Sequence, residues 1–320
     1  MTPRRLLLAI LVLLGGVVAI VVVIVMSGIP LGFGRLPLPA AGTTPLPMPS
    51  MPAIPDGAVR VLAAGDIGRC GSPATVATGA LLDAAPDAVV LALGDLAYER
   101  ATTADFANCY DPFWGPARER TIAVPGNHEY LSRGAAGYFG YLGDAAGTPD
   151  TPWRAQTVGA WRVYALDSEC SHVGGCGEGS AQLEWLRADL AAHPSRCTLA
   201  LWHRPRVSSG PHGGDPAVLP FWRTLAAAGA DIELSGHEHI YERFAPMDAD
   251  ERIIGDGMRS WVVGTGGDNL YELRDPSPGS EVRANQTFGV LELILRPDGY
   301  DWRFLAAMGA PFEDIGSGTC

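Results

Sequence analysis

Short apolar segments alternate with longer amphipathic ones along most of the chain beyond residue 57. Apolar runs that end at Gly, Asp or Pro are typical of buried strands, and they predict strands over residues 59–64, 88–93, 121–124, 162–166, 198–202, 231–234, 260–264, 288–295 and 300–305. Helices are predicted over residues 73–85, 180–192 and 217–228, the first with Ser72 as N-cap and Pro73 at its first position. Strands that alternate with helices indicate an α/β fold with a more β-rich end.

Polar residues of only a few types follow five of the predicted strands. Each strand leads at once into Asp, Asn or His, and with their near neighbours these residues are Asp66, Asp95, Tyr98, Asn127, His128, His203, His237 and His239. Because ligands collect at the carboxyl ends of strands in α/β sheets, we expect these side chains to share one site. Taken singly, each Asp could be a turn residue and His203 a core histidine, but turns do not explain five such strand ends.

The donor atoms of this set are oxygen and nitrogen without a thiolate, which suits Fe(III), Mn or Zn. Seven donors with one bridging carboxylate would serve two ions. Two metals about 3.5–4 Å apart can hold both the attacking and the leaving oxygen of a phosphoryl displacement. His237 and His239 are two residues apart, so in an extended loop both rings would point to one side.

Residues 6–26 form an uninterrupted run of uncharged, mostly aliphatic residues after Arg4 and Arg5. About 20 such residues cross a bilayer as a helix, and the preceding positive charge favours a cytoplasmic N-terminus. The alternative is a cleaved signal peptide, although its apolar stretch is usually about 7–15 residues. We expect a membrane anchor over 1–27, a Pro-rich spacer over 28–57 and a globular domain over 58–320. This domain would face the outside of the cell membrane, or be secreted after signal cleavage.

The charge balance argues against one class of partner. All 23 basic residues are Arg, against 35 acidic residues, which gives a net charge of −12. An acidic chain lacks the broad basic surface that binds a phosphate backbone, so nucleic acid is not expected as a structural partner. A phosphorylated small molecule stays possible as a substrate, because metal ions can supply the local positive charge.

Six cysteines all fall within the predicted domain. An even number in a translocated chain indicates disulfides, and the lack of any C-x-x-C spacing argues against a structural zinc site. The sequence alone does not determine the pairing. We expect one pair to close a Gly-rich loop and two further pairs, namely Cys170–Cys176, Cys70–Cys109 and Cys197–Cys320.

The ordered series GDIG, GDLAY, GNHE, ALWH and GHEHIYER resembles the five sequence blocks of the calcineurin-like metallophosphoesterases. The Tyr of GDLAY and the YER after GHEH resemble the purple acid phosphatase branch. The resemblance covers essentially the whole predicted domain. It implies a four-layer α/β/β/α sandwich, in which two mixed sheets are flanked by helices.

The resemblance also implies that two metal ions bind, with Asp95 as the bridging ligand. The first ion, expected to be Fe(III), would take Asp66, Tyr98 and His239. The second, a divalent Fe, Zn or Mn, would take Asn127, His203 and His237. A metal-bound hydroxide would be the nucleophile.

Two further histidines are candidates for substrate contact and proton delivery. His128 resembles the substrate-facing histidine of the family, and His212 lies where related enzymes place a histidine near the phosphate. For His212, an ordinary solvent-exposed loop residue fits the sequence equally well. Neither is needed to hold a metal.

The function expected from the resemblance is hydrolysis of phosphate monoesters outside the cytoplasm. One alternative is a phosphodiesterase or nucleotide pyrophosphatase on the same two-metal site, since such enzymes use the same ligands and differ in the pocket walls. A second alternative is a cell-surface binding module without catalysis. That module would be expected to have lost ligands, whereas every ligand position of the motifs is filled here. The natural substrate and the oligomeric state do not follow from the sequence.

Overall fold

A computed structural model describes residues 45–320 of the chain. The predicted anchor over 1–27 and the first part of the predicted spacer lie outside the described residues. Among the helices of residues 45–320, none combines the length and apolar composition that crossing a membrane requires.

The strands of the described residues form two mixed sheets. In chain order they are β1 (Val59–Ala64), β2 (Val89–Leu93), β3 (Thr121–Val124), β4 (Arg154–Val158), β5 (Trp161–Ala165), β6 (Cys197–Leu201), β7 (Ile232–Ser235), β8 (Tyr241–Phe244), β9 (Arg259–Val263), β10 (Ser280–Ala284), β11 (Thr287–Arg296), β12 (Gly299–Gly309) and β13 (Ile315–Thr319). The first sheet has the order β13-β12-β11-β1-β2-β3, and the second has the order β10-β8-β9-β7-β6-β5-β4. Strands β1, β2 and β3 run parallel, as do β5, β6, β7 and β9, so their carboxyl ends share one edge in each sheet.

Along the chain, helices and helical turns connect many of these strands. The α-helices are α1 (Pro73–Asp83), α2 (Thr103–Asp105), α3 (Asp111–Trp114), α4 (Ala136–Leu142), α5 (Ala181–Ala192) and α6 (Leu219–Ala227). A π-helical turn covers Phe106–Tyr110, and 3₁₀ turns cover Gly115–Arg120, Glu129–Leu131, Arg133–Ala135, Gly143–Ala146 and Pro216–Val218. The side chain of Ser180 caps α5 by accepting from Leu183 N. Ser72 precedes α1 as predicted, but its hydroxyl donates to Gly267 O instead of capping the helix.

Alternate residues of the second sheet face two separate cores. Leu199 and Leu201 of β6 join the core shared with the first sheet, whereas Ala200 faces the core under α5 and α6. This alternation follows from the two-residue period of a strand. Helix α1 packs on β11 and β12 of the first sheet. The sandwich of two mixed sheets that the family resemblance implies is confirmed.

Four strands and two helical regions, over residues 103–120 and 129–146, were not predicted. Strands β4, β10 and β13 lie at sheet edges and carry many polar or small residues, so they lack an apolar run. Strand β8 coincides with the YERF segment, which the sequence analysis used only as a motif. The helices and turns of both regions are too short to show a clear helical period.

All three predicted disulfides are present: Cys70–Cys109, Cys170–Cys176 and Cys197–Cys320. The second of them closes the Gly-rich loop between β5 and α5, and the third ties the start of β6 to the C-terminal residue.

The last part of the predicted spacer lies on the surface of the domain. Leu46 N donates to Ala307 O of β12 at 2.9 Å, and the guanidinium of Arg303 donates to Ser50 O at 3.1 Å. Residues 46–50 therefore lie along β12 of the first sheet.

Candidate metal centre

Five loops at one end of the sandwich converge on one site. They follow β1, β2 and β3 of the first sheet and β6 and β7 of the second, and they carry Asp66, Asp95, Asn127, His203 and His237. Backbone hydrogen bonds join the loops: Gly65 N donates to Val263 O at 2.8 Å, and Gly236 N donates to His203 O at 3.0 Å. The strand ends of both sheets therefore meet, as expected for a ligand site of an α/β fold.

Asp66, Tyr98 and His239 form a first group of donor atoms, called here the first subsite. The phenol oxygen of Tyr98 lies 3.0 Å from Oδ1 of Asp66 and 3.1 Å from Nε2 of His239. Nε2 of His239 is itself 3.1 Å from that Asp66 oxygen. All three side chains are buried, so a carboxylate, a phenol and an imidazole face one another away from bulk water.

Asn127, His203 and His237 form a second group, called here the second subsite. Oδ1 of Asn127 lies 3.3 Å from Nε2 of His203. The ligand atoms of His203, His237 and Asp95 all lie within 4.8 Å of one another. The rings of the two histidines are 5.1 Å apart, centre to centre.

Asp95 lies between the two subsites. Its Oδ2 is 3.2 Å from the phenol oxygen of Tyr98 and 3.4 Å from Nε2 of His203. Its Oδ1 accepts a hydrogen bond from the backbone N–H of His128 at 2.8 Å. This is the position that a ligand shared by two ions would occupy.

Backbone carbonyls orient two of the histidine rings. Nδ1 of His203 lies 2.8 Å from Leu93 O, and Nδ1 of His239 lies 2.6 Å from Asn269 O. A ring nitrogen that donates to a carbonyl leaves the other nitrogen with its lone pair, which is the usual support for a metal-binding histidine. In both rings Nε2 is the atom turned toward the carboxylates.

The loop that carries His237 and His239 is not extended, so this part of the prediction was wrong. His237 has a φ of +68°, and its backbone N–H donates to Oδ2 of Asp66 at 2.9 Å. The turn sends the His237 ring to the second subsite and the His239 ring to the first. The two rings therefore enter the site from different directions.

The backbone of the site is held in the left-handed region at non-glycine residues. Asp66 and Asp95 have φ values of +59° and +50°. Such conformations cost of order 1–3 kcal/mol each and cluster at functional sites. Two neighbouring glycines leave room for this packing, because a Cβ at Gly94 would clash with the ring of His203 and one at Gly126 with the carboxylate of Asp95.

Burial and charge shift the protonation equilibria of the site in different directions. Burial opposes charge on His203, but the carboxylate of Asp95 outweighs it and raises the pKa of His203. Burial, followed by the charges of His203 and Arg204, lowers the pKa of His237 to about 2. His237 is therefore neutral, with a lone pair available to a metal ion.

The residues of the site fit the predicted pair of metal ions. The carboxylates of Asp66 and Asp95 are 0% and 1% exposed, and buried carboxylates require compensating positive charge. Burial and these two carboxylates raise the pKa of Tyr98 well above its usual value, so the phenol would need a metal ion to lose its proton. Oxygen and imidazole donors without thiolate suit Fe, Zn or Mn.

His128 and His212 lie beside different members of the donor set, His128 beside Asp95 and His212 beside His237. Nε2 of His128 is 3.9 Å from Oδ2 of Asp95, while its Nδ1 lies 2.6 Å from Glu99 O. The ring of His212 is 4.9 Å from that of His237, and its side chain is half exposed. Both histidines can therefore approach a molecule bound at the site.

Glu129 holds two loops of the site together through hydrogen bonds, and it was not predicted from the sequence. Its side chain is fully buried and accepts three backbone N–H groups: Asp95 and Gly126 on Oε2 at 2.8 and 2.7 Å, and Leu96 on Oε1 at 2.9 Å. It thereby joins the loops that carry Asp95 and Asn127. The available signal was its place at the end of GNHE.

Tyr271 and Asp268 support His239 from a loop that no motif marks. The ring of Tyr271 stacks on that of His239 at 3.9 Å and 8°. Oδ2 of Asp268 lies 3.8 Å from Nδ1 of the same histidine. Both residues come from the segment after β9, far along the chain from the five motifs.

Arg204 is a cationic side chain that the sequence analysis also missed, although it directly follows His203. Its Nη1 lies 3.1 Å from Nε2 of His237, and Oε1 of Glu169 accepts from its Nε at 2.6 Å. A positive charge therefore lies at the second subsite.

Comparison with known proteins agrees with this arrangement. The model of the calcineurin-like phosphoesterase family matches residues 59–241, which include all five loops. The chain is similar to purple acid phosphatase 18 of Arabidopsis thaliana, with 32% identity over 123 residues that cover 36% of this chain and 28% of the relative. It is also similar to the 3′,5′-cyclic adenosine monophosphate phosphodiesterase CpdA of Escherichia coli, with 31% identity over 124 residues that cover 38% of this chain and 42% of the relative. The matched part is less than half of either relative.

The fold is also similar to that of a solved plant structure. Purple acid phosphatase PPD1 from yellow lupin (Lupinus luteus) seeds superposes with a TM-score of 0.64 at 20% identity, over 77% of this chain and 51% of the lupin chain. At this identity the likeness concerns the fold.

Proposed function

Because the chain belongs to the calcineurin-like phosphoesterase family, and within it resembles the purple acid phosphatases, we propose that it is a two-metal phosphatase that hydrolyses phosphate monoesters outside the cytoplasm. One observation carries the proposal. Seven predicted donors from five strand-end loops and their flanking residues meet in two adjacent subsites, with the carboxylate of Asp95 between them.

Each subsite would hold one ion. Asp66, Tyr98 and His239 would hold the first, for which we propose Fe(III), since a phenol and a carboxylate favour a highly charged ion. Asn127, His203 and His237 would hold the second, a divalent Fe, Zn or Mn. When bound, such ions supply a nucleophile at neutral pH and neutralise charge on the phosphoryl group.

The protein's own residues keep the donors in place and deliver a proton. Glu129 fixes the loops of Asp95 and Asn127, and the carbonyls of Leu93 and Asn269 fix two imidazole rings. We assign His128 as the general acid. Its Nδ1 is engaged by Glu99 O, so Nε2, on the side of Asp95, is the atom that would donate to a departing alkoxide.

Phosphodiester hydrolysis is the second candidate, favoured by the similarity to the cyclic-nucleotide phosphodiesterase of Escherichia coli. The test is an assay of the metal-loaded full chain on p-nitrophenyl phosphate, an alkyl phosphate, bis(p-nitrophenyl) phosphate and a cyclic nucleotide. The monoesters are expected to react with the highest kcat/KM. Higher values for the diesters would support the second candidate, and no hydrolysis of any compound would refute both. The Asp95→Ala variant, purified in parallel, controls for contaminating phosphatases.

The location outside the cytoplasm is supported by two features. All six cysteines are disulfide-bonded, and disulfides persist in oxidising compartments. The apolar run over residues 6–26 has the length and preceding charge of a membrane anchor. Protease added to intact cells should digest the domain while a cytoplasmic marker survives. Protection of the domain would contradict the proposed orientation, and mature protein in the medium that starts after residue 26 would indicate a cleaved signal.

A further inference from the structure

Arg204 places a guanidinium group at the mouth of the second subsite. Its Nη1 lies 3.1 Å from Nε2 of His237, the nitrogen that would bind a metal ion. The side chain is 27% exposed, so it is accessible to a small molecule. The guanidinium carries a permanent positive charge at any physiological pH.

The guanidinium is held at two of its nitrogens, and the third points into the site. Oε1 of Glu169 accepts from Nε at 2.6 Å, and Oε2 accepts from Nη2 at 3.2 Å. Glu169 is itself buried, with 6% exposure. This two-point contact fixes the plane of the guanidinium and directs Nη1 toward the subsite, where it faces Nε2 of His237.

The backbone before Arg204 is fixed by the same loop that carries Glu169. The hydroxyl of Ser168 accepts from the backbone N–H of Arg204 at 2.9 Å and of His203 at 3.2 Å. The disulfide Cys170–Cys176 closes this loop directly after Glu169. Arg204 is therefore held in place on both its backbone and its side chain.

The carboxylate of Glu169 pairs with the guanidinium, but a metal ion bound by His237 would add positive charge beside it. An ion on Nε2 of His237 would occupy the lone pair that Nη1 now faces, and like charges would then lie close together. Glu169 already uses its two oxygens on Nε and Nη2. An anion at the mouth of the subsite would accept from Nη1 and reduce the repulsion, and phosphoryl oxygens match the donor geometry of Arg.

We propose that Arg204 is a specificity-determining residue, which binds a non-bridging oxygen of the substrate's phosphoryl group and favours dianionic monoesters over monoanionic diesters. The inference rests on the proposed function, because it assigns a substrate class to the same site. A phosphate monoester carries three non-bridging oxygens and two negative charges, whereas a diester carries two oxygens and one charge. A cation beside the metal ions therefore adds more binding energy for the monoester.

The test compares the metal-loaded full chain with Arg204→Met, Arg204→Lys and the control Arg206→Met. Arg206 lies two residues further along the same loop and pairs with Glu251 at 2.6 Å, so its removal deletes the same charge at another place. Three quantities are measured for each variant: metal content, the Kd of inorganic phosphate by calorimetry, and kcat/KM for p-nitrophenyl phosphate and bis(p-nitrophenyl) phosphate.

Arg204→Met should keep its metal ions and weaken phosphate binding about 10- to 100-fold, the range for a hydrogen bond to a charged group. The kcat/KM for the monoester should fall by a similar factor, and that for the diester only about 3- to 10-fold, because the coulombic energy scales with charge. Arg204→Lys keeps the charge without the two-point hold and should fall between. Arg206→Met should match the wild type.

Unchanged phosphate affinity in Arg204→Met, or equal losses on both esters, would overturn the inference while the proposed function stands. Loss of metal ions in Arg204→Met would overturn it too, since the residue would then support His237. Failure of the proposed function would appear instead in the wild type, as no hydrolysis of either ester. The calorimetric Kd would still test Arg204 in that case.

Discussion

The two sheets contribute different chemistry to the candidate metal centre. The loops of the first sheet carry the oxygen donors, which are Asp66, Asp95, Tyr98 and Asn127. The loops of the second sheet carry the nitrogen donors, which are His203, His237 and His239. Each subsite combines donors from both. The site therefore exists only where the two sheets dock, and a bound ion would fasten one sheet to the other.

The two subsites also differ in charge. The first has the carboxylate of Asp66 where the second has the neutral amide of Asn127. The neighbouring Asp268 and Arg204 are each paired, with Arg69 and Glu169 respectively. Under the proposed function, the first subsite would hold the more highly charged ion, and the second would hold a divalent ion beside an anionic substrate. This difference follows from which donors each sheet sends to each subsite.

The largest effect is expected from Asp95→Ala, because Asp95 is the residue that both subsites share. The variant should lose both ions and fall to the background rate of hydrolysis. Elemental analysis and monoester turnover check this outcome. Retention of two ions would show that the subsites are independent and that Asp95 does not join them.

The next largest loss of turnover is expected for a variant of His128. This histidine lies in the loop after β3 of the first sheet and is not one of the metal donors. His128→Ala should keep both ions and lower turnover of an alkyl phosphate about 10²- to 10⁴-fold, the usual range for general acid catalysis. The loss should shrink for p-nitrophenyl phosphate, whose leaving group needs little protonation. Equal losses on both substrates would instead indicate phosphate binding by His128. His212→Ala is the matched variant, and in that case His212, beside His237, becomes the better acid candidate.

A smaller effect, on thermal stability, is expected when a chelator removes the ions from the wild type. Ligands stabilise the folded state by mass action, about 2.7 kcal/mol at a hundredfold excess over Kd. For a domain of this size the Tm should drop by at least about 5 °C. Calorimetry with and without chelator measures the shift, and Asp95→Ala should show none. An unchanged Tm in the wild type would mean that the ions do not fasten the sheets together.

The smallest effect on turnover, but a clear spectroscopic one, is expected for Tyr98→Phe. A phenolate bound to Fe(III) absorbs visible light, and the phenol oxygen of Tyr98 lies in the first subsite. The variant loaded with iron should lose this absorption while its far-UV circular dichroism stays the same. The same spectrum in wild type and variant would remove Tyr98 from the donor set.

The strands that carry the site could be predicted because local sequence determines them. Strands β1, β2, β3, β6 and β7 are apolar runs that end in Gly, Pro or a donor residue, and each lies within two residues of its predicted position. The five loops share an edge because parallel strands align their carboxyl ends. The grouping of donors into one site therefore followed from pattern and topology.

Apart from Glu129, which directly follows GNH, the supporting residues could not be predicted, since their contacts join distant parts of the chain. Tyr271 reaches His239 from the segment after β9, and Glu169 reaches Arg204 from the loop after β5. No local period or spacing marks such contacts. The positive φ of His237 was missed for a related reason, because the turn is held by Asp66, which lies in the other sheet.

The most direct test of the two-metal account is an anomalous difference map from crystals of the full chain loaded with iron and zinc. The account predicts two peaks about 3.5–4 Å apart, one next to Asp66, Tyr98 and His239 and the other next to Asn127, His203 and His237, with Asp95 in contact with both. A single peak, or two peaks that do not share Asp95, would contradict it.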